Sequence, residues 1–358
     1  MTPRENIVRL FRRQGYTYAP VVFDLCPSLA DAYRDHTDSP LHYDEFFEFP
    51  WRWVDDLRLP PHTIDWLAYY PDGLKAGATI DKHWGIGHEP GSAAAKHMTY
   101  MRHPMEHLDS LEAMQAYPFP DYAQACTNHL AGQVTLLHAQ GLAAIAPMAC
   151  TIWEIAWYLR GMETLMMDMM EGDDKAVFLL DKTTEIACLR AAAFARANVD
   201  IIQFGDDIGM QSRLMMSIDF YREWIKPRFA KVIQAARAVK PDIILAYHSC
   251  GFVQPAIDDL IEVGIDVLNP VQPECMDFSE VHAQYGDRLS FWGSIGTQTT
   301  MPFGTPEDVR REVFRNLETA GAHGGLLCTP THLLEPEVPW ENILAYVSAC
   351  REFATAGA

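Results

Sequence analysis

Residues 243–251, Ile-Ile-Leu-Ala-Tyr-His-Ser-Cys-Gly, form an apolar run that becomes polar at its end. A short apolar run of this kind predicts a buried strand of a parallel sheet. Successive side chains of a strand point to opposite faces, so His248 and Cys250 share a face. We therefore expect this strand end to present an imidazole and a thiol side by side.

Other apolar runs repeat this pattern, and helical patterns lie between them. The runs are Ala19–Phe23, Ala143–Met148, Asp200–Phe204, Ile265–Asn269, Leu289–Trp292 and Gly325–Cys328. Regular alternation of strand and helix predicts an α/β fold with parallel strands and right-handed crossovers. A doubly wound open sheet would gather polar residues at one switch point. Polar residues follow nearly every run here, which favours the catalytic face of a (β/α)8 TIM barrel.

The intervening segments carry recognisable helix signals. Thr305 is a suitable N-cap, Pro306 occupies the first helical position, and Gly321 can end the helix. Apolar residues recur between them with a spacing of four, at Val309, Val313 and Leu317. A second helical pattern covers residues 217–240, and we expect it to break or kink near Pro227.

Residues 38–121 lack this rhythm and are rich in Trp, Tyr, His and Pro. We interpret them as an irregular excursion between the first and second barrel strands that covers the barrel mouth. The chain contains no internal repeat, low-complexity tract or long linker. A single barrel domain over residues 1–358 is therefore predicted.

The 358 residues include 48 acidic and 28 basic side chains, a net charge of −20 at pH 7. This charge argues against nucleic acid and anionic membrane surfaces as partners, because both attract basic patches. No apolar stretch predicts a membrane span, and the N-terminus lacks the apolar core of a signal peptide. We expect a cytoplasmic protein whose eight scattered cysteines are thiols or metal ligands rather than disulfides.

The cysteine at the end of the last apolar run, Cys328, completes a candidate zinc site with His248 and Cys250. One imidazole and two thiolates suit Zn²⁺ and leave a fourth position for water or substrate. Two thiolates cancel the charge of the ion, so a substrate thiolate would make the complex anionic and remain nucleophilic. This set favours alkyl transfer to or from sulfur over hydrolysis. The alternative is a strand end with a buried imidazole and inert thiols.

Three further polar residues are candidates for the catalytic site. Asp206 and Asp207 follow one strand and are expected to orient a substrate or a ligand imidazole. Gln272 follows another strand and is expected to reach the fourth metal position when substrate is absent. Each has a simpler interpretation, because carboxylates cap turns and amides satisfy buried backbone groups.

Several segments together resemble the uroporphyrinogen decarboxylase superfamily, and within it the zinc-dependent methylcobamide:coenzyme M methyltransferases. They are residues 157–163, 205–209, 248–251 and 266–272, and the pair Gly324-Gly325 leading to Cys328. The resemblance implies a (β/α)8 barrel with zinc on His248, Cys250 and Cys328. It also implies methyl transfer between a corrinoid protein and a zinc-activated thiol. The chain has no second doubly wound domain to hold cobalamin, so a corrinoid would arrive on a separate partner protein.

A cofactor-free decarboxylase of the same superfamily is the main alternative. Its decarboxylases carry an Asn-Leu-Asp-Pro-type segment where this chain has Ser-Ile-Gly-Thr-Gln at residues 294–298. They also carry an arginine-rich motif after the first strand, whereas no arginine lies between Arg13 and Arg34 here. A third hypothesis is a non-catalytic family member that keeps the barrel. We predict a zinc-dependent methyltransferase acting on a small-molecule thiol or methylated substrate.

Overall fold

The computed structural model describes residues 1–91 and 98–353, and a curled sheet of seven parallel strands forms its centre. The strands in chain order are β1 (Trp51–Trp53), β2 (Thr79–Ile80), β3 (Gly87–Pro90), β4 (Thr99–Arg102), β5 (Ala143–Met148), β6 (Ile201–Gly205), β7 (Ile244–His248), β8 (Val267–Asn269), β9 (Ser290–Trp292) and β10 (Leu326–Leu327). The central sheet has the order β1-β5-β6-β7-β8-β9-β10, and β2, β3 and β4 form a separate antiparallel sheet.

The helices pack around the central sheet and between its strands in sequence. They are α1 (Pro3–Phe11), α2 (Pro27–Thr37), α3 (Tyr43–Phe46), α4 (Leu111–Gln115), α5 (Asn128–Ala139), α6 (Trp153–Arg160), α7 (Met162–Glu171), α8 (Asp174–Arg196), α9 (Ile218–Trp224), α10 (Lys226–Val239), α11 (Ile257–Val263), α12 (Phe278–Tyr285), α13 (Thr300–Phe303), α14 (Pro306–Ala320) and α15 (Trp340–Glu352). Short 3₁₀ helices cover Trp66–Tyr69, Tyr122–Gln124 and Gln254–Ala256. In the described residues, no helix has the length and apolar character needed to cross a membrane.

Strands β5 to β10 lie in the six apolar runs predicted from residue 143 onward. Their parallel register places His248 beside both Gly205 and Asn269, so the carboxyl ends of β6, β7 and β8 lie at one edge. The α/β fold with parallel strands is therefore confirmed. Side chains from both faces of β5 are buried, as expected for a sheet enclosed by helices.

The predicted helix signals are also confirmed. The side chain of Thr305 accepts a hydrogen bond from the Asp308 N–H, and the Asp308 carboxylate accepts one from the Thr305 N–H. This reciprocal pair starts α14, whose apolar residues at the predicted spacing of four are buried. The helical pattern over residues 217–240 is broken at Ile225, between α9 and α10, two residues before Pro227.

The barrel is not closed by backbone hydrogen bonds in the described residues, because no ladder joins β10 to β1. The apolar run Ala19–Phe23, predicted as the first strand, is not a strand. The hydroxyl of Tyr346 lies between this run and β10, within 3.1 Å of the Val22 carbonyl and 3.0 Å of the Cys328 carbonyl. It also accepts a hydrogen bond from the Val22 N–H. The Tyr346 side chain thus joins the two segments, and an isolated parallel bridge between Leu25 and Leu334 adds backbone hydrogen bonds further along.

The predicted excursion over residues 38–121 contains β1, whose three residues pair with Ala143, Ala144 and Ile145 of β5. This part of the chain therefore contributes to the central sheet and is not wholly an excursion from it. Its later part is held by the buried Arg160, which donates hydrogen bonds to the carbonyls of Met105 and Leu108.

We expect Tyr346→Phe to lower the free energy of unfolding by roughly 1–3 kcal/mol, because it leaves buried backbone groups without a partner. Tyr221→Phe is the matched control, since the Tyr221 hydroxyl is also fully buried but has no hydrogen-bond partner among the described residues. It should cause little or no loss. Urea unfolding of both variants checks the difference. Equal losses in the two variants would show that Tyr346 does not join the two segments.

Candidate functional site

A cavity of about 310 Å³ lies where the carboxyl ends of the central strands meet. His248 at the end of β7 and Asn269 at the end of β8 line it, together with His332 from the loop after β10. Its other side chains include Asp24 and several aromatic residues. Polar residues at the carboxyl edge of a parallel sheet with an adjoining cavity are the usual arrangement of a binding or catalytic site.

The imidazole of His248 is oriented by Asn269. Its Nδ1 lies 2.6 Å from the Asn269 Oδ1. The amide nitrogen of Asn269 donates to the Trp292 carbonyl at 2.6 Å, and its oxygen also accepts from Gln203 Nε2 at 3.2 Å. Since the amide oxygen faces the ring, Nδ1 must carry the proton. In this tautomer Nε2 is the ring nitrogen that can bind a metal ion.

The thiol of Cys250 lies beside this nitrogen, with Sγ 3.5 Å from His248 Nε2. The Cys250 N–H donates to Asp207 Oδ1 at 2.8 Å, and the next N–H, of Gly251, donates to Gln272 Oε1 at 3.0 Å. Burial, together with the nearby charges of Asp207 and Glu154, raises the pKa of Cys250 to about 12. The thiol therefore stays protonated at neutral pH unless a cation binds it.

His332 is the third member of this cluster, and the sequence interpretation missed it. One ligand atom from each of His248, Cys250 and His332 can be chosen so that all three lie within 4.8 Å of one another. The two imidazole rings are 6.1 Å apart between centroids. Desolvation lowers the pKa of His332, and the neighbouring His248 lowers it further, so the neutral ring that binds metals is favoured. Its position in the sequence could have indicated it, because His332 is a metal-binding residue type only four residues after Cys328.

Cys328, predicted as the third ligand, does not belong to this cluster of described residues. It directly follows the short strand β10, and its thiol lies 3.7 Å from the Ser294 hydroxyl. Cys350 of α15 approaches its carbonyl, so Cys328 lies on the helix side of the sheet. Only 2% of the residue is exposed, and burial raises the pKa of its thiol well above the ordinary value. The structure thus places Cys328 in the core and His332 at the cavity.

The predicted pair of aspartates divides between two roles. Asp206 is buried and accepts hydrogen bonds from the N–H groups of Ile152 and Glu154 at the start of α6. Burial raises its pKa to about 7 even though these backbone donors lower it. Asp207 lies beside the cluster, with Oδ1 3.7 Å from His248 Nε2. Asp206 therefore stabilises the start of a helix, whereas Asp207 contacts the cluster.

Gln272 positions the backbone after Cys250, because its side-chain oxygen accepts the Gly251 N–H. Gly251 adopts a positive φ of 83°, and a Cβ at this position would lie 2.6 Å from the Met210 carbonyl oxygen. The turn after Cys250 therefore requires glycine. The expected contact of Gln272 with a fourth metal position stays a prediction.

A chain of protonated groups lies next to Asp207. The Tyr158 hydroxyl donates to Glu154 Oε1 at 3.1 Å, and the Cys150 thiol lies 3.6 Å from the same hydroxyl. Burial, together with the charges of Asp207 and Asp206, raises the pKa of Glu154 to about 8. Glu154 is thus largely protonated at pH 7. Nothing in the sequence distinguished it from the other acidic residues of the chain.

Comparison with known proteins shows two kinds of relative. A methylated-thiol--coenzyme M methyltransferase of Methanosarcina mazei is 26% identical over 220 residues, which are 59% of this chain and 54% of that protein. A uroporphyrinogen decarboxylase of Chlorobium limicola is 26% identical over 189 residues, 51% of each chain. The matches therefore span about half the length of these curated relatives.

The fold is shared with a solved methyltransferase from Methanosarcina mazei, with a TM-score of 0.67 and 18% identity over 99% of both chains. Residues 95–353 match the family described as uroporphyrinogen decarboxylase (URO-D). These residues are most of the chain and include the whole cluster of His248, Cys250 and His332. The chain therefore belongs to the uroporphyrinogen decarboxylase (URO-D) family.

Proposed function

We propose that this protein is a zinc-dependent methyltransferase that moves a methyl group to or from sulfur. The observation that carries the proposal is the cluster of His248, Cys250 and His332 beside the cavity. The methylated-thiol--coenzyme M methyltransferase relative supports the reaction type. Bound zinc would supply a thiolate at neutral pH and an open coordination position.

The residues present fit such an ion. Asn269 holds the proton on His248 Nδ1 and leaves Nε2 free, and the Cys250 thiol needs a cation to ionise. One thiolate and two neutral imidazoles leave one positive charge on a zinc complex. A substrate thiolate would then form a neutral complex instead of the anionic one expected for two cysteines. Desolvation in the cavity favours a neutral complex over a charged one.

Around the cluster, the protein supplies positioning and protonated groups. Asp207 fixes the Cys250 backbone, and Gln272 fixes the turn that follows. Glu154 is a protonated carboxyl near Asp207 that can give or take a proton as a thiol is ionised. We assign these residues to positioning and proton transfer, with Asp206 acting through helix α6.

The finer parts of the proposal rest on the sequence and the resemblance. We propose that a separate corrinoid protein carries the methyl group, and that residues 19–25 take the eighth position of the barrel. A parallel bridge between Leu25 and Leu334 supports the second point. The cytoplasmic location and the exclusion of nucleic acid stay predictions.

Decarboxylation of a polycarboxylate is the second candidate, since uroporphyrinogen decarboxylases are also among the relatives. A substrate with several carboxylates needs cationic side chains around it. Within the described residues, no lysine or arginine lines the cavity, and Asp24 adds negative charge there. The charge of the cavity therefore favours methyl transfer over this decarboxylation.

We expect the purified wild-type protein to hold about one zinc ion per chain. His332→Ala and Cys250→Ala should lose it, because each removes a ligand atom of the cluster. Cys328→Ser is the matched control and should keep zinc, since its thiol lies in the core. Elemental analysis after dialysis gives the ratio, and circular dichroism checks that each variant folds. A wild type without zinc contradicts the proposal. Zinc kept in His332→Ala but lost in both Cys250→Ala and Cys328→Ser would restore the ligand set predicted from the sequence.

Zinc-loaded protein should cleave methylcobalamin when a small thiol such as 2-mercaptoethanesulfonate is supplied, and the loss of the Co–C bond changes the visible spectrum. His332→Ala should lower this rate at least roughly 100-fold, because the thiol is then no longer held as a thiolate. Uroporphyrinogen should be unchanged in a parallel incubation. Carbon dioxide release from uroporphyrinogen without zinc would instead establish the decarboxylase.

A further inference from the structure

Three aromatic side chains line the same cavity as the cluster, and the proposed function does not use them. They are Tyr43, Trp53 and Trp292. Trp53, at the end of β1, remains 43% exposed, although tryptophan in the sheet of a folded protein is usually well covered. Trp292, at the end of β9, is held in place by Trp51, with ring centroids 4.8 Å apart. The cavity wall therefore presents rigid aromatic surface to whatever enters.

Asp24 lies beside these rings and near the imidazole of His248. It borders both the main cavity and an adjoining hollow of about 50 Å³ that the same three aromatic residues line. Within the described residues, no side chain donates a hydrogen bond to its carboxylate or forms an ion pair with it. Asp44, also in the smaller hollow, already pairs with Arg52 at 3.2 Å. One carboxyl group without a hydrogen-bond partner among the described residues thus lies beside an aromatic wall.

This combination selects a particular kind of ligand. Aromatic faces attract cations through their quadrupole, and a nearby carboxylate adds direct attraction. A primary ammonium group would also need several hydrogen-bond acceptors after leaving water. An onium ion, whose charge is spread over methyl groups, has no N–H to satisfy and presents an apolar surface to the rings. Aromatic walls with one carboxylate suit the onium ion better.

We propose that Asp24, Tyr43, Trp53 and Trp292 bind a methylated onium cation, a quaternary ammonium or a sulfonium compound, in the cavity beside the His248–Cys250–His332 cluster. The claim that this cation is the methylated substrate rests on the proposed function. The binding itself requires only the described cavity. The net charge of −20 also favours the approach of a cation over that of an anion.

Calorimetric titration of the metal-free, full-length protein tests the binding. The probes are choline, its dimethylsulfonium analogue, which has one methyl group fewer, and 3,3-dimethylbutan-1-ol, the uncharged isostere of choline. We expect at least one onium probe to bind at least tenfold more tightly than the alcohol. The onium probe that binds more tightly identifies the central atom of the natural ligand. Equal affinity for the alcohol, or no binding of either cation, overturns the proposal.

Two variants locate the site. Trp53→Leu and Asp24→Asn should each weaken onium binding roughly 5- to 30-fold, the range expected for loss of one desolvated cation–π or charge contact. Tyr100→Leu is the control, because Tyr100 is an exposed aromatic residue that does not line the cavity. Onium affinity unchanged in both site variants refutes the assignment. Zinc content and thiol methylation are measured separately. A protein that holds zinc and methylates a thiol but does not bind onium ions would refute only this inference.

Discussion

The amide of Asn269 is the interaction on which the arrangement of the cavity depends. It accepts hydrogen bonds from β6 and β7 and donates one to β9, so a single side chain of β8 joins four neighbouring strand ends. The hydrogen bond from the Asn269 amide nitrogen to the Trp292 carbonyl fixes the orientation of the amide. This orientation in turn fixes the tautomer of His248. Packing of the sheet and the chemistry of the ring are thus set by the same group.

Polar residues at the strand ends either stabilise a neighbouring helix or contact the metal-binding cluster, and two residues adjacent in sequence can differ in this role. Asp206 caps helix α6 from the core, while Asp207 contacts Cys250 and His248. Successive side chains of an extended chain face opposite sides. Asp206 therefore contacts a helix, while the next residue, Asp207, contacts the cluster. The buried Tyr247, whose hydroxyl donates to the Asp206 carbonyl, follows the same alternation beside His248.

Much of this fold could be predicted from the sequence because it depends on local patterns. Strands β5 to β10 follow apolar runs, and the capping box of Thr305 and Asp308 depends on residue identity alone. Strand β1 was missed because Trp51-Arg52-Trp53 carries an arginine and lies in an irregular region. The run Ala19–Phe23 was predicted as a strand, but the N–H and the carbonyl of Val22, within it, are bonded to the hydroxyl of Tyr346, more than 300 residues away.

The choice between Cys328 and His332 shows where residue patterns stop being informative. Both stand in the same segment and both are metal-binding residue types, so only the path of the loop after β10 separates them. That path depends on long-range contacts, including the Thr331 N–H donating to the Ile295 carbonyl. His248 and Cys250, two residues apart on one strand, required no such information, and the structure brings them together.

The contact between residues 19–23 and the end of β10 depends on the Tyr346 hydroxyl, so this side of the fold is held differently from the rest of the central sheet. Neighbouring strands of the central sheet are joined by ladders of backbone hydrogen bonds, whereas residues 19–25 are joined to the segment after β10 by the Tyr346 hydroxyl and by two backbone hydrogen bonds at Leu334. We expect an outward displacement of residues 19–25 to break fewer hydrogen bonds than the separation of two strands of the sheet. Val22 and Asp24 also border the cavity. We therefore expect the cavity to widen on this side when a bulky ligand binds, while the central sheet keeps its shape.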